Sequence, residues 1–276
     1  MERIIITYKL IALDMDGTLF NEKKEISPRN RRAIQDARKI GKNVVIATGR
    51  PLLGIKHVLN ELGLNTSDDY VVAFNGALVQ NVKTGEVIFK SALTHDDYAL
   101  LYDLSLKYGV HIQALTETYV TTPVLNPFTQ IEADLNGIEI VKSDVDVFSK
   151  EETIIKVMFV DTKENLDAVE RQLTEEIKAK YNIMRSSSIF LEFLHPEVNK
   201  GTGISAIASV MNLGSDEVIC VGDAGNDIAM IEYAGLGVAM GNAYESVKRI
   251  ADHITDTNEA DGVAKVIEQF MLKKVV

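Results

Sequence analysis

The sequence predicts an α/β protein in which a parallel sheet is interrupted by a second, mixed α+β domain. Short apolar runs of strand length alternate with helix patterns in two stretches of the 276-residue chain, residues 1–90 and 197–276. Between them, over residues 91–196, strand-like runs follow one another with few helices, as in α+β units. We therefore expect a discontinuous core, 1–90 and 197–276, and an inserted domain, 91–196.

The elements of the first core segment are marked by apolar runs and by residues that begin or end helices. Leu10–Leu13 is the first apolar run of strand length. Ser27 and Pro28 begin a helix that Gly41 ends, since serine caps helices, proline fits their first position and glycine their end. The remaining elements are expected as a strand at 44–47, a helix at 51–62, a strand at 70–74 and a hairpin of 77–80 with 87–89.

The inserted segment is expected to begin with a helix up to residue 108, opened by Thr94 and Asp97. Strands should follow at 110–115, 119–122, 138–141 and 154–160. A long charged helix over 163–180 and a hairpin of 183–186 with 190–194 complete it. From residue 201 the strand–helix alternation resumes, with strands near 218–221, 237–240 and 253–255.

Two acidic residues directly after the first strand are the main indication of chemistry. Asp14 and Asp16 are two positions apart, so they point the same way if the strand continues, and Gly17-Thr18 then turns the chain. A carboxylate can accept a phosphoryl group as an acyl phosphate, which divides one difficult displacement into two easier ones. The pair is typical of a nucleophilic carboxylate with a second acid beside it, gathered around a divalent cation.

These two acids have two other interpretations. Paired acids in a loop commonly cap a helix or face solvent. A calcium-binding loop is the sharper alternative, because Asp14, Asp16 and Glu25 fall at positions 1, 3 and 12 of such a loop. That loop requires glycine at position 6, where this chain has Leu19, and a helix before it, where a strand is expected. The catalytic interpretation is favoured.

Three further motifs follow in a fixed order, and the strand-ending ones lie where open α/β sheets bind ligands. They are Thr48-Gly49-Arg50, Asn199-Lys200-Gly201-Thr202-Gly203 and Gly222-Asp223-Ala224-Gly225-Asn226-Asp227. Each is weak by itself. Together with the Asp14–Asp16 pair they resemble motifs I to IV of the haloacid dehalogenase superfamily of phosphotransferases. The resemblance implies a Rossmann-like parallel-sheet core with an inserted α+β cap of the C2B type.

The resemblance also implies a role for each motif residue. Asp14 would be the nucleophile and a metal ligand, and Asp16 the general acid/base with its backbone carbonyl on the metal. Asp223 would complete the metal site. Asp227 would not bind the metal itself but would contact the residues that do. The residues that would bind the phosphoryl group are Met15, Thr48, Gly49, Lys200 and Asn226.

The expected cofactor is Mg²⁺. Clustered acids facing a dianionic substrate would repel it without a cation, and Mg²⁺ prefers oxygen ligands and bridges to phosphates. Enzymes accelerate phosphate-monoester hydrolysis by up to ~10²¹-fold, roughly 29 kcal/mol. One preorganised donor contributes only about 2.7–4 kcal/mol. We therefore expect metal, lysine, hydroxyl, backbone amides and covalent catalysis to act together.

A narrower resemblance is to Cof-type phosphatases, and within them to bacterial sugar phosphatases. It rests on residues 70–80 with Asn75-Gly76-Ala77, on 190–203 and on 226–240, and it is loosest over 116–153. It implies a small-molecule phosphate ester as substrate, in particular a sugar phosphate. Candidate substrate contacts are Arg50, Asn75, Gly76, Tyr119, Asn126, Arg185 and Glu192. A sugar phosphomutase of the same superfamily and a non-catalytic sugar-phosphate sensor stay open as alternatives.

Composition favours a cytoplasmic enzyme without nucleic acid or membrane partners. Apolar content of 46% and charged content of 25% are ordinary for globular proteins. No apolar run approaches the ~18 residues of a membrane span, and the charged first nine residues do not form a secretory signal. The net charge of −11 argues against binding nucleic acid or an anionic membrane. The single cysteine, Cys220, is expected in a buried strand.

Overall fold

The computed structural model of the chain describes residues 8–148 and 151–272. Residues 1–7 lie outside this range. They make up most of the charged first nine residues, from which the absence of a secretory signal is predicted. The described residues divide into two compact units. Unit 1 contains residues up to Thr48, His57–Phe89 and those from Asn199 onward, and unit 2 contains Gly49–Lys56 and Lys90–Val198. Unit 2 thus includes Gly49–Lys56, a segment that the predicted boundaries assign to the core.

The described strands form two sheets, one in each unit. In chain order the strands are β1 (Leu10–Leu13), β2 (Asn43–Ala47), β3 (Tyr70–Ala73), β4 (Leu78–Asn81), β5 (Val87–Lys90), β6 (His111–Leu115), β7 (Tyr119–Thr122), β8 (Glu139–Lys142), β9 (Lys156–Val160), β10 (Asn182–Ser187), β11 (Phe190–Leu194), β12 (Val218–Gly222), β13 (Leu236–Ala239) and β14 (His253–Ile254).

The helices alternate with the strands of unit 1 and flank those of unit 2. In chain order they are α1 (Pro28–Lys39), α2 (Leu52–Leu62), α3 (His95–Tyr108), α4 (Pro127–Asn136), α5 (Lys163–Gln172), α6 (Glu175–Lys180), α7 (Lys200–Val210), α8 (Ile228–Tyr233), α9 (Glu245–Lys248) and α10 (Gly262–Phe270). Among the helices of the described ranges, none is long and apolar enough to cross a membrane.

Unit 1 is built on an eight-stranded sheet of order β14-β13-β12-β1-β2-β3-β4-β5. The strands from β14 to β3 pair in parallel, and β4 pairs antiparallel to β3. The central strands are buried on both faces, as their continuous apolar runs predict. One apolar cluster joins the sheet to α7, through Ile204 and Ile207 of the helix and Ala12, Val45 and Cys220 of the strands. The predicted α/β core is confirmed.

Three strands of this sheet end at the same level. β1 lies between β2 and β12, and Leu13 is opposite both Ile46 and Val221. The pairing continues one residue further, since the Asp14 amide donates to the Val221 carbonyl at 3.1 Å. Because parallel strands all point their carboxyl ends to one edge, the residues that follow β1, β2 and β12 meet there.

Unit 2 contains a six-stranded sheet of order β10-β11-β9-β6-β7-β8. Its pairs are antiparallel except β7 with β8, which pair in parallel and are connected by α4. One face carries an apolar cluster that includes Phe159 and Phe193 of the strands with Tyr98 and Leu101 of α3. Since side chains alternate along a strand, residues such as Met158 belong to the other face.

The structure corrects three details of the predicted elements. The helix expected over 163–180 is two helices, because Leu173 is extended (ψ 127°) and Thr174 caps α6 by accepting from the Ile177 amide. Helix α4 lies where no element was predicted. The strand expected from residue 154 begins at Lys156, and Ile154 forms only an isolated bridge to Leu93. Other boundaries differ by one or two residues.

Candidate active site

Three carboxylates lie together at the carboxyl edge of the unit 1 sheet. Asp14 follows β1, while Asp223 and Asp227 follow β12, and each has an oxygen within 4.8 Å of the others. Asp14 and Asp227 are buried. Oxygen atoms of several carboxylates at this spacing are the ligand set that a hard divalent cation prefers, so the residues present fit the metal that the motifs imply.

A fully buried lysine bridges two of these carboxylates. Lys200 is the first residue of α7, and its Nζ donates to Asp14 Oδ1 at 2.5 Å and to Asp227 Oδ1 at 2.6 Å. The other Asp227 oxygen accepts from the amides of Asp223 and Ala224 at 2.9 and 3.0 Å. Asp227 is therefore held by three donors, which suits an orienting role more than that of an open metal ligand.

Charges in this cluster perturb one another. Burial raises the pKa of Asp14 well above its usual range, and the charge of Asp227 adds to this effect while Lys200 opposes it. Burial, followed by the charge of Asp227, raises the pKa of Asp223 to about 6. Burial by itself would lower the pKa of Lys200, but Asp14 and Asp227 outweigh it and raise that pKa. One ammonium thus faces three carboxylates, and a divalent cation would supply the positive charge that the cluster lacks.

Asp16 does not belong to the carboxylate cluster by its side chain. Its Oδ1 accepts from Lys24 Nζ at 2.7 Å, in a half-exposed ion pair. Lys24 reaches this position from a tight turn in which it has a positive φ of 60° and its amide donates to the Asn21 carbonyl. The predicted acid/base residue is therefore accessible, whereas the predicted nucleophile is buried.

The turn after β1 is fixed by contacts with distant parts of unit 1. Thr18 Oγ1 donates to Asp223 Oδ1 at 3.0 Å, and Asn242 Nδ2 donates to the Gly17 carbonyl at 2.8 Å. Gly17 has a φ of 88°, and a Cβ there would collide with the Asp223 carboxylate. Glycine is thus required by both the backbone conformation and the close approach of the Asp223 carboxylate.

The second motif meets the fourth through one buried asparagine. Thr48 follows β2, and its carbonyl accepts from the Asn75 amide at 2.9 Å. Asn75 Oδ1 in turn accepts from Asn226 Nδ2 at 3.0 Å. Gly49 and Arg50, the rest of the second motif, belong to unit 2. Met15 is completely buried, with its carbonyl accepting from the Thr18 and Phe20 amides.

In unit 2, Glu192 lies in a buried group of charges. Lys156 Nζ donates to Glu192 Oε1 at 2.8 Å and lies 3.9 Å from Glu132 Oε1. Burial raises the pKa of Glu132, against the charges of Lys156 and, more weakly, Arg50. Within the described residues, Glu192 Oε2 and Gln113 Oε1 are buried without a hydrogen-bond partner. Gln113 and Glu192 both pair with Met158 in the sheet, so all three share one face.

The other predicted contacts of the inserted domain have structural partners. Arg185 binds Glu170 at 2.8 Å and the Ser188 carbonyl at 2.6 Å. Asn126 caps α4 by accepting from the Thr129 amide at 2.9 Å. Burial raises the pKa of Tyr119, and the charge of Glu152 adds to it. A substrate contact by any of these residues stays a prediction.

The structure brings to these sites several residues that were not predicted as site residues from the sequence: Thr18, Lys24, Gln113, Glu132, Lys156 and Asn242. A signal existed only for Thr18, which stands inside the first motif. Lys24 reaches Asp16 through a left-handed turn that the residue type at position 24 does not indicate. The others lie far along the chain from their partners, or on strands whose pairing no local pattern specifies.

Comparisons with known proteins agree with this geometry. The sequence profile of the haloacid dehalogenase-like hydrolases matches residues 11–267. Among relatives, YxeH of Bacillus subtilis is 40% identical over 97% of this chain and 100% of its own. The 5-amino-6-(5-phospho-D-ribitylamino)uracil phosphatase YcsE of the same organism is 31% identical over 99% of both chains.

Solved structures that are similar to this chain also include haloacid dehalogenase-like hydrolases. A haloacid dehalogenase-like hydrolase from Bacteroides thetaiotaomicron has a TM-score of 0.85 and 36% identity, over 95% of this chain and 99% of its own. The subclass IIB sugar phosphatase BT4131 has a TM-score of 0.80 and 28% identity, over 95% and 98%. The family profile and these relatives cover nearly the whole chain, and the four motifs lie inside the matched range. The chain therefore belongs to the haloacid dehalogenase-like hydrolases.

Proposed function

We propose that this protein is a Mg²⁺-dependent phosphatase that hydrolyses small phosphorylated metabolites through an aspartyl-phosphate intermediate. The observation that carries the proposal is the fully buried Lys200, held between Asp14 and Asp227 at 2.5 and 2.6 Å. An ammonium there would lower the charge of an incoming phosphoryl group exactly where a carboxylate must attack it, which is electrostatic preorganisation. The names of the relatives, which include phosphatases, support the same class of reaction.

In the first step, Asp14 attacks phosphorus and forms an O–P bond while the bond from phosphorus to the leaving oxygen breaks. Asp16 gives a proton to that oxygen, so the alcohol leaves neutral. For this, the Asp16 carboxyl must exchange its contact with Lys24 for the leaving oxygen. Thr48, Gly49, Asn226 and the amide after Asp14, at Met15, would hold the phosphoryl oxygens.

In the second step, water attacks phosphorus of the aspartyl phosphate, and Asp16 takes a proton from that water. Phosphate is released and the Asp14 carboxylate is regenerated. The sum is one ester and one water converted to one alcohol and one phosphate. Mg²⁺, held by Asp14, Asp223 and the Asp16 carbonyl, would act as a Lewis acid on the phosphoryl oxygens.

The proposed substrates are phosphate esters of polyhydroxylated compounds, such as sugar phosphates. Two relatives support this class by their names: BT4131 is called a sugar phosphatase, and YcsE is named for a phosphate on a ribityl chain. The ribityl chain and a sugar both present several neighbouring hydroxyl groups. A cytoplasmic location stays a prediction from composition.

We propose further that Glu192 contacts hydroxyls of the substrate's leaving group. A buried carboxylate oxygen without a donor is costly, and a hydroxyl would supply the missing hydrogen bond. Gln113 Oε1, on the same face of the unit 2 sheet, is a second acceptor in the same condition. Lys156 Nζ donates to Glu192 Oε1 at 2.8 Å, which holds the side chain in place and leaves Oε2 to accept from a hydroxyl.

The first experiment is phosphate release from a panel of hexose, pentose, tetrose and ribityl phosphates, with and without Mg²⁺. Chelator-sensitive release from several members would support the proposal and rank the substrates. Phosphate transfer to a second sugar without release would indicate a mutase. Binding of sugar phosphates without turnover would indicate a sensor.

The Asp14→Asn variant tests the covalent mechanism. An amide is a poor nucleophile, so turnover should fall by at least about 10⁴-fold while the fold persists. Thermal unfolding with and without Mg²⁺ checks that the variant is intact. Turnover equal to that of the native protein would contradict an aspartyl phosphate.

The Glu192→Gln variant tests the leaving-group contact. It should lower kcat/KM for sugar phosphates by about 10–100-fold, the value of a hydrogen bond to a charged group. Hydrolysis of p-nitrophenyl phosphate, which has no hydroxyls on its leaving group, is the matched control and should change little. Equal losses for both kinds of substrate would mean that Glu192 is structural.

A further inference from the structure

A three-residue turn of unusual backbone geometry follows β3 in unit 1. Phe74, Asn75 and Gly76 have consecutive positive φ angles of 50, 57 and 104°. The left-handed region is uncommon for residues other than glycine, asparagine and aspartate, and a phenylalanine there is strained. All three residues are buried. Strain of this kind persists only where the surrounding structure enforces it, and such turns concentrate at functional sites.

The last two residues of this turn together contact three catalytic motifs. The Asn75 amide donates to the carbonyl of Thr48, and Asn75 Oδ1 accepts from the side chain of Asn226, at 2.9 and 3.0 Å. Gly76 packs against the backbone of Asn199, so closely that a Cβ would collide with the Asn199 carbonyl.

Asn199 is the residue that begins the helix of the catalytic lysine. Its side chain accepts from the Thr202 amide at 2.9 Å and thereby caps α7, whose first residue is Lys200. The position of Asn199 therefore fixes where the buried ammonium enters the carboxylate cluster. The turn thus touches the second motif at Thr48, the third at Asn199 and the fourth at Asn226.

We propose that Asn75 is a positioning residue that orients the Asn226 amide and holds the second and fourth motifs in one arrangement around the phosphoryl group, while its neighbour Gly76 packs against the third. Its left-handed backbone directs the amide N–H to Thr48, while the side-chain oxygen of the same residue reaches Asn226. Because Asn226 Nδ2 has a second hydrogen, holding the first on Asn75 aims the other in a fixed direction, as a donor to a phosphoryl oxygen requires. This inference rests on the proposed function.

The test is a double-mutant cycle of Asn75→Gly and Asn226→Ala. Glycine keeps the left-handed backbone and the amide N–H, and it removes the side chain with the oxygen that accepts from Asn226. Asn212→Gly is the matched control, because Asn212 also has a positive φ of 54° but is exposed at the end of α7. Asn75→Ser, whose side chain is too short to reach Asn226, replaces the glycine variant if that variant does not fold.

The readouts are kcat and KM for p-nitrophenyl phosphate with Mg²⁺, together with the Tm of each variant. Asn75→Gly should lower kcat by about 10–100-fold with little change in KM, as a misplaced catalytic group does. Asn226→Ala should cause a similar loss, and the double variant should lose no more than either single one. Asn212→Gly should leave kcat unchanged. The proposal would be overturned if the loss in kcat of the double variant equalled the product of the two single losses. A kcat for Asn75→Gly equal to the native value would also overturn it.

A second readout separates this inference from the proposed function. Beryllofluoride with Mg²⁺ mimics a phosphoryl group on a carboxylate, and its affinity can be measured by calorimetry without turnover. If the native protein hydrolyses no ester, the proposed function fails, but coupled losses of beryllofluoride affinity in the same cycle would still support the positioning role. Affinities that are unchanged, or losses that multiply, would overturn it.

Discussion

Replacing Lys200 by methionine should destabilise the protein strongly, and a cation should reverse part of that loss. The native ammonium is fully buried and contacts Asp14 and Asp227 at 2.5 and 2.6 Å. Methionine has a similar volume but leaves three carboxylates within 4.8 Å of one another without a cation. Breaking a buried ion pair by removing one partner costs about 3–5 kcal/mol. We expect a loss of this size in the free energy of unfolding near about pH 7.5, without Mg²⁺.

The pH dependence of this loss has a definite sign. The pKa of Asp14 is raised in the native protein, chiefly by burial, and removal of Lys200 raises it further because that charge opposes the effect. A carboxyl with a raised pKa binds more protons in the folded than in the unfolded protein, so stability falls as pH rises. The loss caused by Lys200→Met should therefore shrink as pH is lowered toward about 5.

Lys156→Met is the matched control. Lys156 is buried like Lys200 and also contacts two carboxylates, Glu192 and Glu132, but these belong to unit 2, whereas the proposed metal ligands belong to unit 1. Both variants should lose stability in urea unfolding followed by circular dichroism. Mg²⁺ at about 10 mM should restore stability to Lys200→Met by mass action, and should add no more to Lys156→Met than to the native protein. A loss below about 1 kcal/mol for Lys200→Met, or equal effects of Mg²⁺ on both variants, would refute the reasoning.

Two other substitutions test contacts at the starts of helices, one in each unit. Asp97→Asn should lower the stability of unit 2 by about 1–2 kcal/mol, because it weakens the capping box with Thr94 and the contacts with Lys180 and Tyr181. Burial by itself would raise the pKa of Asp97, but these partners outweigh it and hold that pKa well below its usual range. The contribution of Asp97 is therefore complete above about pH 4 and should decline as pH falls from about 4 toward the lowered pKa of the folded protein, as measured by urea unfolding. Gly201→Ala should lower kcat for p-nitrophenyl phosphate by about tenfold or more, since the methyl group would collide with the Ala229 carbonyl and shift the start of α7.

Local sequence patterns were sufficient to predict the elements that depend on neighbouring residues, namely buried strands and the capped starts of helices. The apolar runs predicted the central strands of unit 1, and Ser27 with Pro28 predicted the start of α1, where the Ser27 side chain accepts from the Asn30 amide. Helix α4 had an equally good signal, because Asn126 stands directly before Pro127. Asn126 was considered only as a candidate substrate contact, which stays a prediction, and the structure shows that it caps this helix.

Contacts between distant residues could not be predicted in this way. The Asp16–Lys24 ion pair depends on a left-handed residue in a turn, and no glycine or asparagine at position 24 indicates one. The pairing of Lys156 with Glu192 depends on the register of two antiparallel strands, which is set by the whole sheet. The order of the four motifs predicted which residues would meet at the edge of the unit 1 sheet. It contained no information about the hydrogen bond between Asn75 and Asn226.

The burial of Cys220 in β12 makes its thiol a probe of how often the unit 1 sheet opens. Its side chain is completely buried, and burial raises the pKa of the thiol, so it stays protonated and closed to alkylation. The chain has no other cysteine. The rate at which a thiol reagent adds mass to the protein will therefore measure how often the central sheet of unit 1 opens. Opening of unit 2 will not contribute to this rate, because unit 2 contains no cysteine.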